Sequence, residues 1–265
     1  MADLVAYYNK FNEDKRLLSR HGQVEFRVTM HYIKKLLKEI GKTGIKIADI
    51  GAGTGRYSIA LTKEGYEVFA AEPVNYNLGI LKKHAREELT DGQKLEAFAS
   101  DARKLKRFGD EEFDLTLLLG PLYHLHSTED KVKALTEAKR ITKKDGIILA
   151  GYVMADYAVV KYGFMEGNIK ESVAKGALRE DFGIVSDEDE LYDYVRLSDI
   201  DILNEKAGLS RRYIFTPDGP ADYIRNVLNE MDDETFELFI DYQTKNSMRQ
   251  DLIGAASHCV DVLMV

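Results

Sequence analysis

An apolar run that breaks into three alternating glycines constrains this chain more than any other feature of its sequence. The run begins near Ile47, reaches Asp49 and then meets Gly51, Gly53 and Gly55, after which a helix-compatible stretch follows. Glycine permits positive φ and has no Cβ to block a ligand, and the helix N-terminus beyond the turn offers unpaired N–H groups. The motif therefore predicts a parallel strand, a tight nucleotide-binding turn and a helix, and it marks a cofactor site.

Strand-like and helix-like segments alternate from residue 45 to residue 153. The predicted strands are 44–50, 66–71, 94–99, 113–119 and 147–153, and the predicted helices between them are 56–63, 78–89 and 132–141. Such alternation implies right-handed crossovers and a doubly wound parallel sheet. Ligands of these sheets bind at the carboxyl ends of the strands, near the switch point of strand order. Residues 45–153 are therefore predicted to be the cofactor-binding core of an α/β fold.

The rest of the chain is predicted to add to that core, so that residues 1–265 make one domain. Residues 1–44 read as a helical cap whose last helix ends at Gly41. Residues 154–197 lose the alternation and scatter aromatic side chains among glycines and acids, which predicts an irregular inserted lid. Residues 198–265 are predicted to hold a helix from Ser198 to Gly208, further helices at 221–231 and 234–248, and strands at 212–216 and 258–265. Those last two strands could pair as an antiparallel edge hairpin.

Composition narrows the class of protein. The net charge of −8 argues against nucleic-acid partners, which need a basic surface. The sequence has no apolar run near the ~20 residues of a membrane span and no secretory signal at its start. A single cysteine, Cys259, cannot form an internal disulfide, which favours a reducing cytoplasm. His258 beside Cys259 does not predict a metal site, because adjacent strand residues point to opposite faces.

The spacing of the glycines separates two classes of cofactor. A nicotinamide-binding turn favours Gly-x-Gly-x-x-Gly, whereas this chain has Gly-x-Gly-x-Gly and carries arginine at position 56. Glu72 ends the second strand about 20 residues beyond Gly51, where a carboxylate can accept both ribose hydroxyls. Glu72 alone does not discriminate, because a nicotinamide enzyme would have it too. Asp49 before the glycines and Asp101 at the third strand end are the further distinguishing acids.

Taken together, these residues resemble the class I S-adenosylmethionine-dependent methyltransferases. Asp49-x-Gly51-x-Gly53-x-Gly55 looks like the first motif of that family. The segment 113–125 looks like the fourth-strand motif of its bacterial small-molecule branch, and Gly-Pro-Leu-Tyr-His-Leu at 120–125 is the most specific piece. Residues 254–258 also resemble this branch. The resemblance implies a mostly parallel seven-stranded sheet with an antiparallel edge strand, S-adenosylmethionine as cofactor, S-adenosylhomocysteine as product, and no metal.

The resemblance also assigns residue roles. Glu72 corresponds to the ribose-binding acid, and Asp101 to the acid that faces the adenine amine. In the cap, an aromatic side chain could cover the adenosine, and Arg16 or His21 could pair with the cofactor carboxylate. The predicted cofactor-binding set is Asp49, Gly51, Gly53, Glu72, Pro73, Asp101, Ala102, Leu119, Tyr8, Arg16 and His21.

Tyr123 and His124 follow the fourth strand, where the methyl acceptor should lie, and they are the predicted catalytic residues. His124 would orient the acceptor or act as a general base; ordinary packing under the lid is the alternative for both side chains. The acidic run 187–190 reads as a solvated face, with a rim that attracts a cationic amine as the lesser alternative.

The predicted function is methyl transfer from S-adenosylmethionine to nitrogen, oxygen or sulfur of a small-molecule acceptor, by a cytoplasmic monomer or homodimer. The alternatives are an NAD(P)-dependent oxidoreductase on a related sheet and a non-catalytic S-adenosylmethionine-binding module. A methyltransferase for a larger protein or RNA substrate is a further variant, which would need an open rim and a basic groove.

Overall fold

Seven strands make one sheet in residues 19–265, the part of the chain that the computed structural model describes. The strands are β1 Lys46–Ile50, β2 Glu67–Ala71, β3 Leu95–Phe98, β4 Phe113–Leu118, β5 Thr142–Val153, β6 Ser210–Phe215 and β7 His258–Met264. Their order across the sheet is β3-β2-β1-β4-β5-β7-β6. The predicted doubly wound, mostly parallel seven-stranded sheet is therefore confirmed.

Two features of the strand order position the functional site. β1 pairs in parallel with both β2 and β4, so the order reverses between β1 and β4 and opens a crevice at their carboxyl ends. At the far edge β6 pairs antiparallel with β7, as predicted. β7 also pairs antiparallel with β5, with His258 opposite Val153. The start of β7 therefore lies at the same edge of the sheet as the carboxyl ends of the parallel strands.

Helices cover both faces of the sheet. They are α1 Arg20–Ile40, α2 Arg56–Lys63, α3 Asn75–Glu88, α4 Thr128–Ile141, α5 Ala155–Ala158, α6 Ile169–Ala174, α7 Leu197–Ala207, α8 Arg225–Glu230, α9 Asp233–Asn246 and α10 Gln250–Ile253. A 3₁₀ turn spans Pro121–His124, and a π-helical segment spans Val159–Met165. Within residues 19–265, none of the helices has the length and apolar character needed to cross a membrane.

Alternate residues along the strands supply two apolar layers. Ile47 packs with α1 residues such as Val28 and Ile33 on one face. Ala48, its neighbour on β1, packs with α4 residues such as Leu135 on the opposite face. Side chains alternate between the two faces of a strand, so the near-continuous apolar runs of β1 and β4 follow from burial on both sides.

Local packing overrides the sequence at several element ends. The predicted turn at 144–146 lies inside β5, where the pairing with β4 shifts register and Asp145 adopts a φ of 64°. The predicted helix at 221–231 is wrong in length, because only Arg225–Glu230 is helical. Ser198 is not the cap of its helix: Arg196 takes that position, and its backbone N–H donates to Asp199 Oδ2 at 2.8 Å.

The lid is more regular than expected, which corrects the prediction of an irregular stretch at 154–197. It contains α5, the π-helical segment and α6, and then returns to the sheet. The return is fixed by backbone pairing at Val195, whose N–H donates to Val153 O at 3.0 Å and whose carbonyl accepts from Ala155 at 2.9 Å. Short helices carry too few periodic positions to be recognised from the sequence.

Candidate cofactor and acceptor site

A cleft opens at the carboxyl ends of the strands on both sides of the β1–β4 switch point. It encloses about 1030 Å³ of empty space, part of which is open to solvent. The predicted site residues that line it are Asp49, Gly51, Gly53, Glu72, Pro73, Asp101, Ala102, Leu119, Tyr123 and His124. The fold thus brings together residues that lie far apart in the sequence.

The three positions of the turn require glycine for different physical reasons. Each has a positive φ: 75° at Gly51, 56° at Gly53 and 88° at Gly55. A Cβ on Gly51 would lie 2.6 Å from the Pro121 ring, and one on Gly55 would lie 2.6 Å from Leu81. A Cβ on Gly53 would meet nothing within 4 Å. The outer glycines therefore serve close packing, whereas the middle one leaves open space on the wall of the cleft.

Glu72 ties the glycine turn to the next helix. Its Oε2 accepts from the Gly53 N–H at 2.9 Å, and its Oε1 accepts from the Val74 N–H at 2.8 Å. Burial raises the pKa of Glu72, and these backbone donors oppose that shift. Each carboxylate oxygen retains further acceptor capacity for a ligand hydroxyl. The carboxylate is thus held in place beside the turn before any ligand arrives.

Asp49 is buried beneath the turn and faces α2. Its Oδ2 accepts from the Ser58 hydroxyl at 2.5 Å. Burial raises the pKa of Asp49 to about 6, although the hydrogen bond from Ser58 favours the charged form. Asp49 therefore holds the helix against the glycine turn.

Asp101 lines the cleft and also starts a turn with Arg103. Asp101 Oδ1 accepts from the Arg103 backbone N–H at 2.8 Å, and the Arg103 guanidinium approaches Oδ2 at 2.6 Å. Arg103 lowers the pKa of Asp101, so the carboxylate stays charged. Arg103 also pairs with Asp130, at 2.5 Å, near the start of α4. Contact with an adenine amine stays a prediction for Asp101.

Tyr123 and His124 form the floor beneath the returning arm of the lid. His124 Nδ1 lies 3.0 Å from the carbonyl of Leu191 and donates to it. The His124 ring stacks on Tyr192 with centroids 5.2 Å apart, and the Tyr123 carbonyl accepts from the Asp193 N–H at 2.8 Å. Burial lowers the pKa of His124 to about 4. The imidazole is therefore neutral at physiological pH, with its proton on Nδ1.

Of the three cofactor-binding residues predicted in the N-terminal cap, the structure describes only His21. Tyr8 and Arg16 lie outside the described residues. His21 lies in the first turn of α1, where its Nδ1 is 3.0 Å from the Ser19 hydroxyl. Among residues 19–265, those that line the cleft do not include His21. Its role toward the cofactor stays a prediction.

Several residues that line the cleft were not predicted, among them Asn77, Tyr57 and Glu25. Asn77 and Tyr57 lie in the first turns of the helices after Glu72 and after the glycine turn, so a local signal existed for both. Asn77 hydrogen-bonds Glu72, and within the described chain its buried Oδ1 has no partner. Glu25 comes from α1 and had no local signal, because its place depends on how α1 crosses the sheet.

The donor set fits an adenosyl cofactor. Gly53 leaves open space on the wall, the anchored Glu72 carboxylate can accept ribose hydroxyls, and the buried Asn77 Oδ1 offers an acceptor. The first two of these features are the ones that the glycine motif and its acid predicted, whereas Asn77 was not predicted.

Comparison with known proteins agrees with this geometry. Residues 48–150 match the family described as "Methyltransferase domain". A glycine/sarcosine N-methyltransferase of Aphanothece halophytica is 34% identical over 116 residues, which cover 43% of this chain and 42% of that protein. A ubiquinone biosynthesis O-methyltransferase of Agrobacterium fabrum is 29% identical over 110 residues, 42% of this chain and 41% of that protein. The chain thus matches less than half the length of these curated relatives.

Solved structures share the fold over most of the chain. A Thermotoga maritima protein described as a SAM-dependent methyltransferase, possible histamine N-methyltransferase, has a TM-score of 0.56 at 18% identity and covers 97% of both chains. Magnesium protoporphyrin IX methyltransferase of Synechocystis PCC 6803, solved with bound SAH, has a TM-score of 0.56 at 13% identity, covering 96% of this chain and 87% of that one. Residues 48–150 of this chain thus match a methyltransferase domain, and the chain shares the fold of these solved structures.

Proposed function

We propose that the chain transfers the methyl group of S-adenosylmethionine to nitrogen, oxygen or sulfur of a small-molecule acceptor by in-line displacement. The single observation that carries the proposal is the Glu72 carboxylate, held by two backbone N–H groups against the glycine turn, on the wall of a cleft of cofactor size. The methyltransferase match of residues 48–150 supports it.

The cofactor supplies a sulfonium leaving group, so the protein mainly has to align the acceptor and exclude water. Glu72 binds the ribose, Asp101 faces the adenine, and Asp49 keeps the turn in place through Ser58. Leu119 and Gly120, at the end of β4, lie toward the methionine moiety. Tyr123 and His124 orient the acceptor beneath the lid, since the Leu191 carbonyl fixes the imidazole and the Tyr192 ring packs on it.

We further propose a cytoplasmic enzyme, monomeric or homodimeric, that acts on a small molecule and not on nucleic acid. The net charge of −8 and the single cysteine support this assignment. The lid across Tyr123 and His124 supports a small acceptor, because its contacts narrow the approach to the end of β4.

Calorimetric titration tests the cofactor assignment. We expect S-adenosylmethionine and S-adenosylhomocysteine to bind and NAD to show no binding. Glu72→Ala should abolish binding of both adenosyl compounds. Glu67→Ala, at the opposite end of β2, is the matched control and should bind as the unsubstituted protein does. Binding of the dinucleotide alone would support the oxidoreductase alternative, and binding of S-adenosylmethionine with no methyl transfer to any acceptor would support the non-catalytic module.

A second comparison distinguishes a general-base role of His124 from a positioning role. If His124→Ala leaves turnover unchanged at every pH while Glu72→Ala abolishes cofactor binding, the general-base role of His124 is wrong and positioning is the account that survives. A lost or shifted pH dependence in His124→Ala, with cofactor binding intact, would support the general-base role instead.

A further inference from the structure

A second, smaller cavity adjoins the cofactor cleft on the side of β5 and β7. It contains about 260 Å³ of empty space, part of which is open to solvent, and it shares Glu25, Tyr57 and Leu119 with the cleft. His258 and Gly151 line its far side. Leu119 lies where the methionine end of the cofactor is proposed to bind, so this cavity adjoins that end of the cleft.

His258 is held in this cavity by a buried acid. Its Nδ1 lies 2.6 Å from Asp218 Oδ2, and its backbone N–H donates to Asp218 Oδ1 at 3.1 Å. Asp218 is buried, with 4% of its surface exposed, whereas the His258 side chain is 25% exposed. A buried carboxylate that fixes both the ring and the backbone of a histidine sets its tautomer, with the proton on Nδ1. Proton exchange with a bound molecule then falls to Nε2.

Glu25 completes the group from the opposite wall. One ligating atom from each of Glu25, Asp218 and His258 lies within 4.8 Å of the others. These residues come from α1, from the loop after β6 and from the first residue of β7. His258 Nδ1 and Asp218 Oδ2 are hydrogen-bonded to each other, so the arrangement favours an oriented histidine with an acid beside it over three ligands on one metal ion.

We propose that this cavity binds an amine acceptor, that His258 is its general base, and that Glu25 holds the ammonium form of the amine. Asp218 is a positioning residue that acts through His258. This inference rests on the proposed methyl transfer and narrows its acceptor to a primary or secondary amine.

The chemistry balances without any further reagent. The ammonium group of the acceptor gives one proton to His258 Nε2, which frees the nitrogen lone pair. That lone pair forms the new N–C bond as the C–S bond of the sulfonium breaks, and the electron pair of that bond stays on sulfur. The product is the methylated ammonium ion and the neutral thioether, and His258 later releases its proton to solvent.

Around His258 the described residues place several titratable groups. They are Asp218, Glu25, Tyr123 with its ring centroid 6.4 Å away, and Tyr57, which lines the same cavity.

Three variants and one matched control test the proposal: His258→Asn, Asp218→Asn and Glu25→Gln, with His31→Asn on the exposed face of α1 as control. Calorimetry with S-adenosylhomocysteine comes first, and we expect affinities within threefold of the unsubstituted protein in His258→Asn, Asp218→Asn and His31→Asn, which shows an intact fold and cofactor cleft. Glu25 also lines the cofactor cleft, so Glu25→Gln is compared at the S-adenosylhomocysteine concentration that saturates it. A panel of primary and secondary alkylamines, with phenols and thiols of similar size, then serves as acceptor, both for binding to the S-adenosylhomocysteine complex and for turnover.

We expect the unsubstituted protein to bind and methylate amines and not phenols or thiols. His258→Asn should lower kcat at least 100-fold, the scale of general-base catalysis, and remove the acid limb of the pH profile. Asp218→Asn should lower kcat about 10-fold and move that limb, and Glu25→Gln should raise KM for the amine about 10-fold with kcat unchanged. His31→Asn should match the unsubstituted protein.

Several results would overturn the proposal while leaving methyl transfer intact. They are turnover on phenols or thiols only, an unchanged kcat in His258→Asn, a requirement for a divalent metal, or no amine bound by the S-adenosylhomocysteine complex. Loss of S-adenosylmethionine binding by the unsubstituted protein would instead overturn the proposed function itself.

Discussion

At the scale of single residues, two buried carboxylates support the glycine turn from opposite sides. Asp49 accepts from Ser58 below the turn, and Glu72 accepts from Gly53 beside it. Burial raises the pKa of each, and the charge of Asp49 adds to the shift at Glu72. Burying a carboxylate costs free energy that its hydrogen bonds only partly offset. The turn is therefore held at the expense of global stability near neutral pH.

The raised pKa of Asp49 predicts a pH-dependent stability. The folded protein binds the proton of Asp49 more tightly than the unfolded chain does, since the pKa rises from 3.8 to about 6. The contribution of protonated Asp49 to the free energy of unfolding is therefore fully present below pH ~4. It is lost as the pH rises through ~6, by roughly 3 kcal/mol. Asp49→Asn should thus gain stability over the unsubstituted protein by about that amount between pH 4 and pH 7, measured by urea unfolding without ligand.

Ser58→Ala provides the matched variant for Asp49. The Ser58 hydroxyl favours the charged carboxylate, so its removal should move the midpoint of the pH-dependent loss to higher pH. A difference between Asp49→Asn and the unsubstituted protein that stays constant from pH 4 to pH 7 would contradict this account of Asp49.

At the scale of elements, the lid is fastened to the core by its returning arm. The Lys131 ammonium on α4 pairs with the Asp193 carboxylate at 2.5 Å, with only 5% and 8% of the two side chains exposed. The backbone of Asp193 donates to the Tyr123 carbonyl. The buried ion pair thus fixes the lid directly over the predicted catalytic residues.

Breaking that ion pair should loosen the lid. Lys131→Met leaves a buried carboxylate without its cation, which typically costs about 3–5 kcal/mol. The double variant Lys131→Met with Asp193→Leu should recover most of that loss, because no buried charge remains. Urea unfolding measures the stability, and limited proteolysis at the exposed α6 region measures the lid. Lys175→Met, which removes an exposed pair with Glu171, is the control, and an equal loss in the two single variants would contradict the prediction.

At the scale of the whole molecule, the sheet order decides where a ligand can bind. The reversal between β1 and β4 brings the segments after β1, β2, β3 and β4 to one edge. A different hollow lies at the opposite edge, lined by residues from 42–45, 65–67 and 92–94, with about 860 Å³ of empty space. The two cavities sit at opposite ends of the same strands.

Hydrogen exchange can distinguish these two edges. Saturating S-adenosylhomocysteine should slow backbone exchange in peptides around 49–57, 72–77, 100–103 and 119–124. A ligand that binds the native state and not the unfolded state raises the free energy of opening, by about 2.7 kcal/mol at a ligand concentration of 100 Kd. Peptides covering 42–45 and 92–94 serve as the internal control and should change less. Protection confined to those control peptides would place the ligand in the wrong cavity for the proposed function.

Much of the cofactor half of the site could be predicted from the sequence. The strand, the glycine turn and Glu72 follow from short-range spacing, and β1, α2 and β2 appear where apolar periodicity indicated them. Element ends were less certain, as at Ser198, where the Arg196 backbone and Asp199 side chain supply the cap instead. The lid helices were missed because each spans too few turns to show a period.

The sequence by itself determined the class of sheet and the cofactor motif, because both depend on residues a few positions apart, whose backbone preferences act locally. Only the tertiary structure decided which residues face the acceptor. Glu25, Asp218 and His258 meet because α1 crosses the sheet and β7 inserts antiparallel between β5 and β6. No periodicity encodes that meeting, since it depends on the packing of segments some two hundred residues apart in the chain.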